Sequence, residues 1–343
     1  MRALVYEGPR KMEVREVDAP TPEDNEVLIR VAYSGICGSE LSGYLGQNAL
    51  RKPPLVFGHE FSGTVAGLGE RAASTGDLSV GQHVTANPLI TCGYCERCLE
   101  GRQQLCIRRQ LLSASLPGSN ADYVKVPARF VYPLPDGVSL EQGALVEPIA
   151  CAVRVAELAS VEPSHTVLVI GAGPIGLFVI QAMQVHGARD IIAVDLNRER
   201  LGTAARLGAT TLSPEESDTV EEVHRITGGK GVDVAVDAVG ASVTRNQCIQ
   251  SAASGGTVVF SGLHEADSPL PVNMMIRSEI TCLGSFAYSA LNFETALRWL
   301  AEGRMGLADG IVKSPLESGA RWFERLLGDQ GKVTKVLLYP REG

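Results

Sequence analysis

Apolar positions in the first 148 residues come in short runs, among them Val27-Leu28-Ile29-Arg30-Val31 and Gly63-Thr64-Val65-Ala66-Gly67, with glycine- and proline-rich turn signals between them. This texture predicts a mainly β half. From about Glu147 the pattern changes to apolar strands alternating with helical periodicity: a strand over 166–171, a helix running to Gly187, a strand over 190–195, then a helix over 198–207 stopped by Gly208. Further strands are predicted at 210–212, 232–239, 256–262 and 280–286, making six, as a full dinucleotide-binding sheet requires. The tail holds two amphipathic helical patterns, 293–304 and 318–328, and a closing strand over 335–339.

The most apolar stretch, 167–183, is interrupted by Gly171, Gly173, Pro174 and Gly176 and is short for a membrane span, so it reads as a buried strand followed by a helix. The opening residues Met1-Arg2-Ala3-Leu4-Val5-Tyr6 run straight into Glu7 and Gly8 without the apolar core of a secretory signal, and a cytoplasmic location is expected. A length of 343 residues suits two domains, and 45% hydrophobic with 20% charged residues is a globular composition. With 31 Lys and Arg against 39 Asp and Glu, the net charge of −8 argues against a nucleic-acid ligand.

The run Val167-Leu168-Val169-Ile170-Gly171-Ala172-Gly173-Pro174-Ile175-Gly176 is a strand passing into G-x-G-x-x-G at a helix start. Gly171 permits the tight turn, Gly173 lets a pyrophosphate reach the backbone, and Gly176 allows close helix–sheet packing. Asp195 follows 24 residues after Gly171, at the end of the second strand, where a carboxylate hydrogen-bonds ribose hydroxyls and repels a 2′-phosphate. NAD is the expected cofactor, with Arg198 and Arg200 as the argument for NADP.

Of eight cysteines, Cys92, Cys95, Cys98 and Cys106 fall within fifteen residues, spaced C-x2-C-x2-C-x7-C. Four thiolates so close suit a closed, tetrahedral, structural zinc site; an iron–sulfur cluster is the rival, but the x7 gap departs from its usual ending. A catalytic zinc requires mixed ligands and an open position. Gly35-Ile36-Cys37-Gly38-Ser39-Glu40 and Gly58-His59-Glu60-Phe61-Ser62-Gly63 offer Cys, His and carboxylate in glycine-rich turns.

Together these motifs resemble those of the zinc-dependent medium-chain dehydrogenases, the superfamily of alcohol, sorbitol and threonine dehydrogenases, over nearly the whole chain. Gly58-His59-Glu60-x2-Gly63-x5-Gly69 is similar to that family's zinc signature, and Tyr132-Pro133-Leu134-Pro135-Asp136-Gly137-Val138 with Gly143-Ala144-Leu145-Val146-Glu147-Pro148 resembles the sorbitol-like polyol branch. The resemblance implies an α/β fold: a GroES-like β domain (1–149 and 286–343) with a Rossmann doubly wound parallel-sheet domain (150–285) inserted, and an active site in the cleft between them. It implies Cys37, His59 and a carboxylate around a catalytic zinc, either Glu60 or Glu147 as the direct ligand and the other holding water. Glu147, ahead of Pro148, also suits a helix N-terminus.

Ser39 occupies the family's proton-relay position, whereas Glu40 and Ser42 stand where the pattern continues with Asp and often His, and Arg154 stands at another frequent His. The resemblance places Ile175, Asp195 and Arg200 on the adenosine side and Leu263, Ser285 and Phe286 on the nicotinamide side. The implied activity is NAD-dependent oxidation of a secondary alcohol or polyol by a homodimer or homotetramer carrying two zinc ions per chain. A sugar-alcohol phosphate such as galactitol 1-phosphate, an amino alcohol and L-threonine remain alternative substrates, and a non-catalytic zinc-stabilised NAD-binding regulator is an alternative class. A phosphate would require a cleft cation, for which Arg51, Lys52, Arg108, Arg109 and Arg154 are candidates.

Overall fold

The computed structural model describes residues 1–328 and 331–340. In chain order the strands are β1 (Arg2–Gly8), β2 (Lys11–Glu16), β3 (Glu26–Gly35), β4 (Leu55–Val56), β5 (Glu60–Leu68), β6 (His83–Ala86), β7 (Leu89–Ile90), β8 (Gln110–Leu111), β9 (Tyr123–Pro127), β10 (Val131–Pro133), β11 (Thr166–Ile170), β12 (Asp190–Val194), β13 (Thr210–Leu212), β14 (Val232–Asp237), β15 (Ala252–Phe260), β16 (Thr281–Gly284), β17 (Ile311–Pro315) and β18 (Lys335–Tyr339). They fall into two compact units, Met1–Glu147 with Ser289–Gly343, and Pro148–Tyr288.

In the first unit one sheet runs β10-β6-β5-β3-β18-β17, with β9 also paired to β3. Along β3 the residues alternate: Val27, Ile29 and Val31 enter a core with Phe61, Val65, Val84 and Val126, while Arg30 points out. The antiparallel register of β3 on β5 sets Gly35 opposite Glu60, so the chain leaving β3 at Cys37 lies beside the chain entering β5 at His59. The tail closes this sheet through β18, whose Leu337 pairs with Gly35.

The second unit is a parallel sheet in the order β13-β12-β11-β14-β15-β16. The sequence Thr166-Val167-Leu168-Val169-Ile170 is buried throughout, as a central strand covered on both faces must be. Some elements differ from the sequence expectation. The first tail helix is Ala290–Ala301, beginning earlier than residue 293 because Ser289 and Asn292 form a capping box: Ser289 Oγ accepts the Asn292 N–H at 3.2 Å and Asn292 Oδ1 accepts the Ser289 N–H at 2.9 Å. β15 starts at Ala252, where an irregularity lets Val232 pair with Ala252 while Val234 pairs with Thr257. Among the described residues no helix is long and apolar enough to cross a membrane.

Leu168 is fully buried in β11, between β12 and β14. Leu168→Ala should cost about 2–5 kcal/mol of stability in chemical denaturation; a loss under about 1 kcal/mol would contradict this placement.

Candidate active site

Two turns build the first constellation. Cys37 caps the helix Gly38–Tyr44, His59 directly precedes β5 and Glu60 opens it. Gly58 between them has φ +103°, and a Cβ there would stand 2.5 Å from Ser119 Oγ and 2.6 Å from Asn120 N, so only glycine lets the turn close. The result brings a ligand atom each from Cys37, His59 and Glu60 within 4.8 Å of one another. This soft-and-hard donor set suits zinc.

The fully buried Glu40 ties the turns together. Its Oε1 accepts from His59 Nδ1 at 2.7 Å, the Gly58 N–H at 2.8 Å and Ser113 Oγ at 2.6 Å, while Oε2 takes the Cys37 N–H at 3.4 Å. With Nδ1 engaged, His59 is left with Nε2 to face a metal, the carboxylate–histidine arrangement that orients zinc ligands. Burial pushes the Glu40 pKa up, but the His59 charge and hydrogen bond, the Arg51 charge and the Ser113 hydroxyl outweigh it and hold it at about 2. Without metal, His59 lies well above its ordinary value: burial opposes this, and the charges of Glu40 and Cys37 overcome it.

Lys335, from β18 and 3% exposed, pairs through Nζ with Glu60 Oε2. Burial works against its charge, yet Glu60, Cys37 and Glu147 raise its pKa. Glu147 is not in the 4.8 Å group; its charge is felt at Lys335. Ser39 Oγ lies 3.4 Å from Cys37 Sγ and accepts from Arg51 Nη2 at 3.1 Å. Arg154 pairs with Glu157 on its own helix at 2.8 Å, and Ser42 is half-buried.

The sequence reading gave no role to Glu40 or Lys335. Glu40 had a local signal, a carboxylate three residues into a helix started at Cys37. Lys335 had none, because its partner lies far along the chain.

Cys92, Cys95, Cys98 and Cys106 also offer sulfurs within 4.8 Å of one another, with separations of 3.5 Å (95–98), 3.6 Å (92–106) and 3.9 Å (92–98). A tetrahedron of Zn–S bonds has edges of about 3.8 Å. Backbone N–H groups of Cys95 and Arg108 point at Cys92 Sγ and Cys106 Sγ at 3.4 and 3.3 Å. Desolvation opposes thiolate formation at Cys92, but backbone N–H groups and neighbouring thiols bring its pKa to about 6. None of the eight cysteines is in a disulfide.

In the second unit, Gly171 turns at φ +99° and Pro174 starts the helix Pro174–Val185. A Cβ on Gly176 would lie 1.7 Å from the Gly171 carbonyl oxygen, whereas one on Gly173 would meet only Arg200 Nη1 at 3.9 Å, leaving the backbone open to a diphosphate. Asp195 Oδ2 accepts the Ala172 N–H and Oδ1 the Asn197 N–H, both at 2.7 Å, so the carboxylate is fixed against the glycine turn. Arg200 Nη1 is 3.8 Å from Asp195 Oδ2, and Arg198 is drawn to Glu216 at 3.0 Å. Ile175 sits half-buried in the helix's first turn. Leu263 is 80% exposed just past β15, and Ser285 and the exposed Phe286 follow the neighbouring β16. The Ser285 N–H donates to the Phe260 carbonyl at 2.8 Å, which keeps these strand ends together.

The sequence matches the family model Zinc-binding dehydrogenase over residues 174–302 and Alcohol dehydrogenase GroES-like domain over residues 23–136. Sorbitol dehydrogenase of Bacillus subtilis (strain 168) is 33% identical over 348 residues, covering 99% of this chain and 97% of that protein. D-xylulose reductase A of Aspergillus niger is 34% identical over 351 residues, covering 97% and 96%. The crystal structure of 2R,3R-butanediol dehydrogenase from Bacillus subtilis aligns with a TM-score of 0.90 at 31% identity over 99% of each chain. The chain belongs to the zinc-binding dehydrogenases, with a GroES-like domain, a Rossmann-type parallel sheet, and zinc and NAD(H) as cofactors.

Glu40→Gln should weaken zinc at the Cys37–His59–Glu60 centre about 10- to 100-fold in chelator competition; unchanged affinity would contradict the orienting role. Since Glu40 titrates at about 2 in the fold against an ordinary 4.5, its contribution to stability is complete above about pH 4.5 and is lost as the pH falls toward 2. The stability gap between metal-free wild type and metal-free Glu40→Gln should therefore shrink across that window in urea titrations, and a gap that widens on acidification would refute the assignment. Asp195→Ala should raise the Kd for NAD about 10-fold or more, measured by calorimetry, because charge-assisted hydrogen bonds are lost; an unaltered Kd would remove Asp195 from the cofactor site.

Proposed function

We propose that this enzyme oxidises a secondary alcohol of a polyol, sorbitol-like, to the ketose with NAD, and runs the reverse reduction on ketoses. The carrying observation is the Cys37–His59–Glu60 donor set beside the Ser39 hydroxyl, in a chain one-third identical along its length to a sorbitol dehydrogenase. The first unit serves as the catalytic zinc-binding domain and the second as the NAD-binding domain.

Zinc, when bound, supplies the Lewis acidity that eases loss of the alcohol proton, and NAD supplies the hydride acceptor. Cys37, His59 and Glu60 would hold the metal, and Lys335 restrains Glu60 through its ion pair. Glu147 acts outside the ligand set as a carboxylate able to accept a proton. The Ser39 hydroxyl hydrogen-bonds the oxygen of the reacting alcohol. In the net change the carbinol loses its O–H proton and its C–H hydride, and the products are a ketone, NADH and one proton.

Cys92, Cys95, Cys98 and Cys106 would hold a second zinc with four sulfurs, a closed site that would order its lobe and take no part in turnover. Eight cysteines without a disulfide among them support a reducing cytoplasm. Exposed Val272 and Ile276, on the helix leading to the edge strand β16, support assembly as a homodimer or homotetramer.

NADH formation screened over polyols, polyol phosphates, simple secondary alcohols and threonine should be fastest with a polyol; turnover confined to a phosphate ester or to threonine would overturn the substrate class. Ser39→Ala should lower kcat about 100-fold, and a wild-type rate would remove Ser39 from the mechanism.

A further inference from the structure

Arg51 is only 5% exposed, in the loop between the helix Gly38–Tyr44 and β4. Its stem fills the space beside Gly43, where a Cβ would come within 2.4 Å of Arg51 Cδ, and its guanidinium carbon lies 5.8 Å from the Phe57 ring centroid. Nη2 donates to Ser39 Oγ at 3.1 Å, while the buried Nε has no hydrogen-bond partner among the described residues. No carboxylate there comes within ion-pair distance of it. Its charge is answered at longer range by the buried Glu40, and the hydrogen bond it makes inside the site goes to Ser39 Oγ, so whatever role it has there acts through that hydroxyl.

The chemistry of the pair limits what that role is. Guanidinium is a donor only, so Ser39 Oγ accepts in this bond and keeps its single proton for another partner. In this structure that partner is Cys37 Sγ. A hydroxyl that accepts from a cation is a better donor and a poorer base. Arg51 cannot accept a proton either, so nothing passes outward along it. Its burial at the serine also keeps it from anchoring a phosphate several carbons from the reacting centre.

We propose that Arg51 is a positioning residue: by donating to Ser39 Oγ it fixes the serine as hydrogen-bond donor to the oxygen of the reacting alcohol and closes the proton route past that serine. This rests on the reading of Ser39 given above. The alcohol proton then leaves on the other side, toward Glu147 or solvent.

A double-mutant cycle on the zinc-loaded enzyme tests it, with Arg51→Met, Ser39→Ala and the pair, each checked for zinc content and thermal unfolding. Arg51→Met should lower kcat about 10-fold with less than about threefold change in KM, Arg51→Lys should restore part of the loss, and in the Ser39→Ala background Arg51→Met should cost less than about twofold. Crystals of metal-stripped Arg51→Met should show Ser39 Oγ turned from its present position, a readout independent of turnover. An equal loss in both backgrounds, or an unmoved Ser39 with full kcat, overturns the proposal while the Ser39 reading stands. A wild-type rate for Ser39→Ala sinks that reading and leaves Arg51 nothing to position. Should Arg51→Met fail to fold, Arg51→Leu carries the same cycle, since it too removes both the charge and the donor.

Discussion

A single buried carboxylate organises the Cys37–His59–Glu60 end of the first unit. Glu40 would be prohibitively costly in a dry interior without partners, and the fold supplies hydrogen-bond donors from three places: the turn after β3, the turn before β5 and the loop holding Ser113. Satisfying it sets Cys37 and His59 side by side and turns the imidazole so that Nε2 is left for a metal. The β3–β5 register delivers the two turns to the same end of the sheet, and Gly58 gives the backbone freedom to complete the contact.

Charge balance explains the remaining buried groups. Cys37, Glu40 and Glu60 concentrate negative charge in a small volume, with Glu147 felt from beyond it, and Lys335 and Arg51 are the buried cations that answer it. Lys335 acts on Glu60 directly, while Arg51 acts on the Ser39 hydroxyl. A zinc ion held there would add the positive charge that makes so acidic a cluster tenable. The cysteine lobe solves a similar problem differently, with backbone N–H groups aimed at the sulfurs of Cys92 and Cys106 and four sulfurs placed to enclose a metal.

The alternation of buried strands and helices after residue 147 made the α/β class legible, because the period of apolar positions records which faces are covered. The glycine run 171–176 and the four close cysteines were legible for a related reason: each packs its chemistry into a few consecutive residues. Element ends were less so. β15 begins before residue 256 through an irregular pairing with β14, and the helix at Ala290 is started by a capping pair, both dependent on local hydrogen bonds more than on hydrophobic period. Lys335 escaped a site reading altogether, and Arg51 stood only among five candidate phosphate cations, since burying a cation beside Glu60 or Ser39 requires the sheet to be assembled first.

We propose that one chain holds two chemically different zinc ions, one of them at Cys37, His59 and Glu60. Zinc-edge X-ray absorption on the purified enzyme before and after mild chelation tests it most directly. The account predicts two zinc ions with a mean of about 2.5 sulfur ligands each, falling after chelation to one zinc with four sulfurs and loss of dehydrogenase activity. A single all-sulfur zinc in the fully active, unchelated enzyme would contradict it.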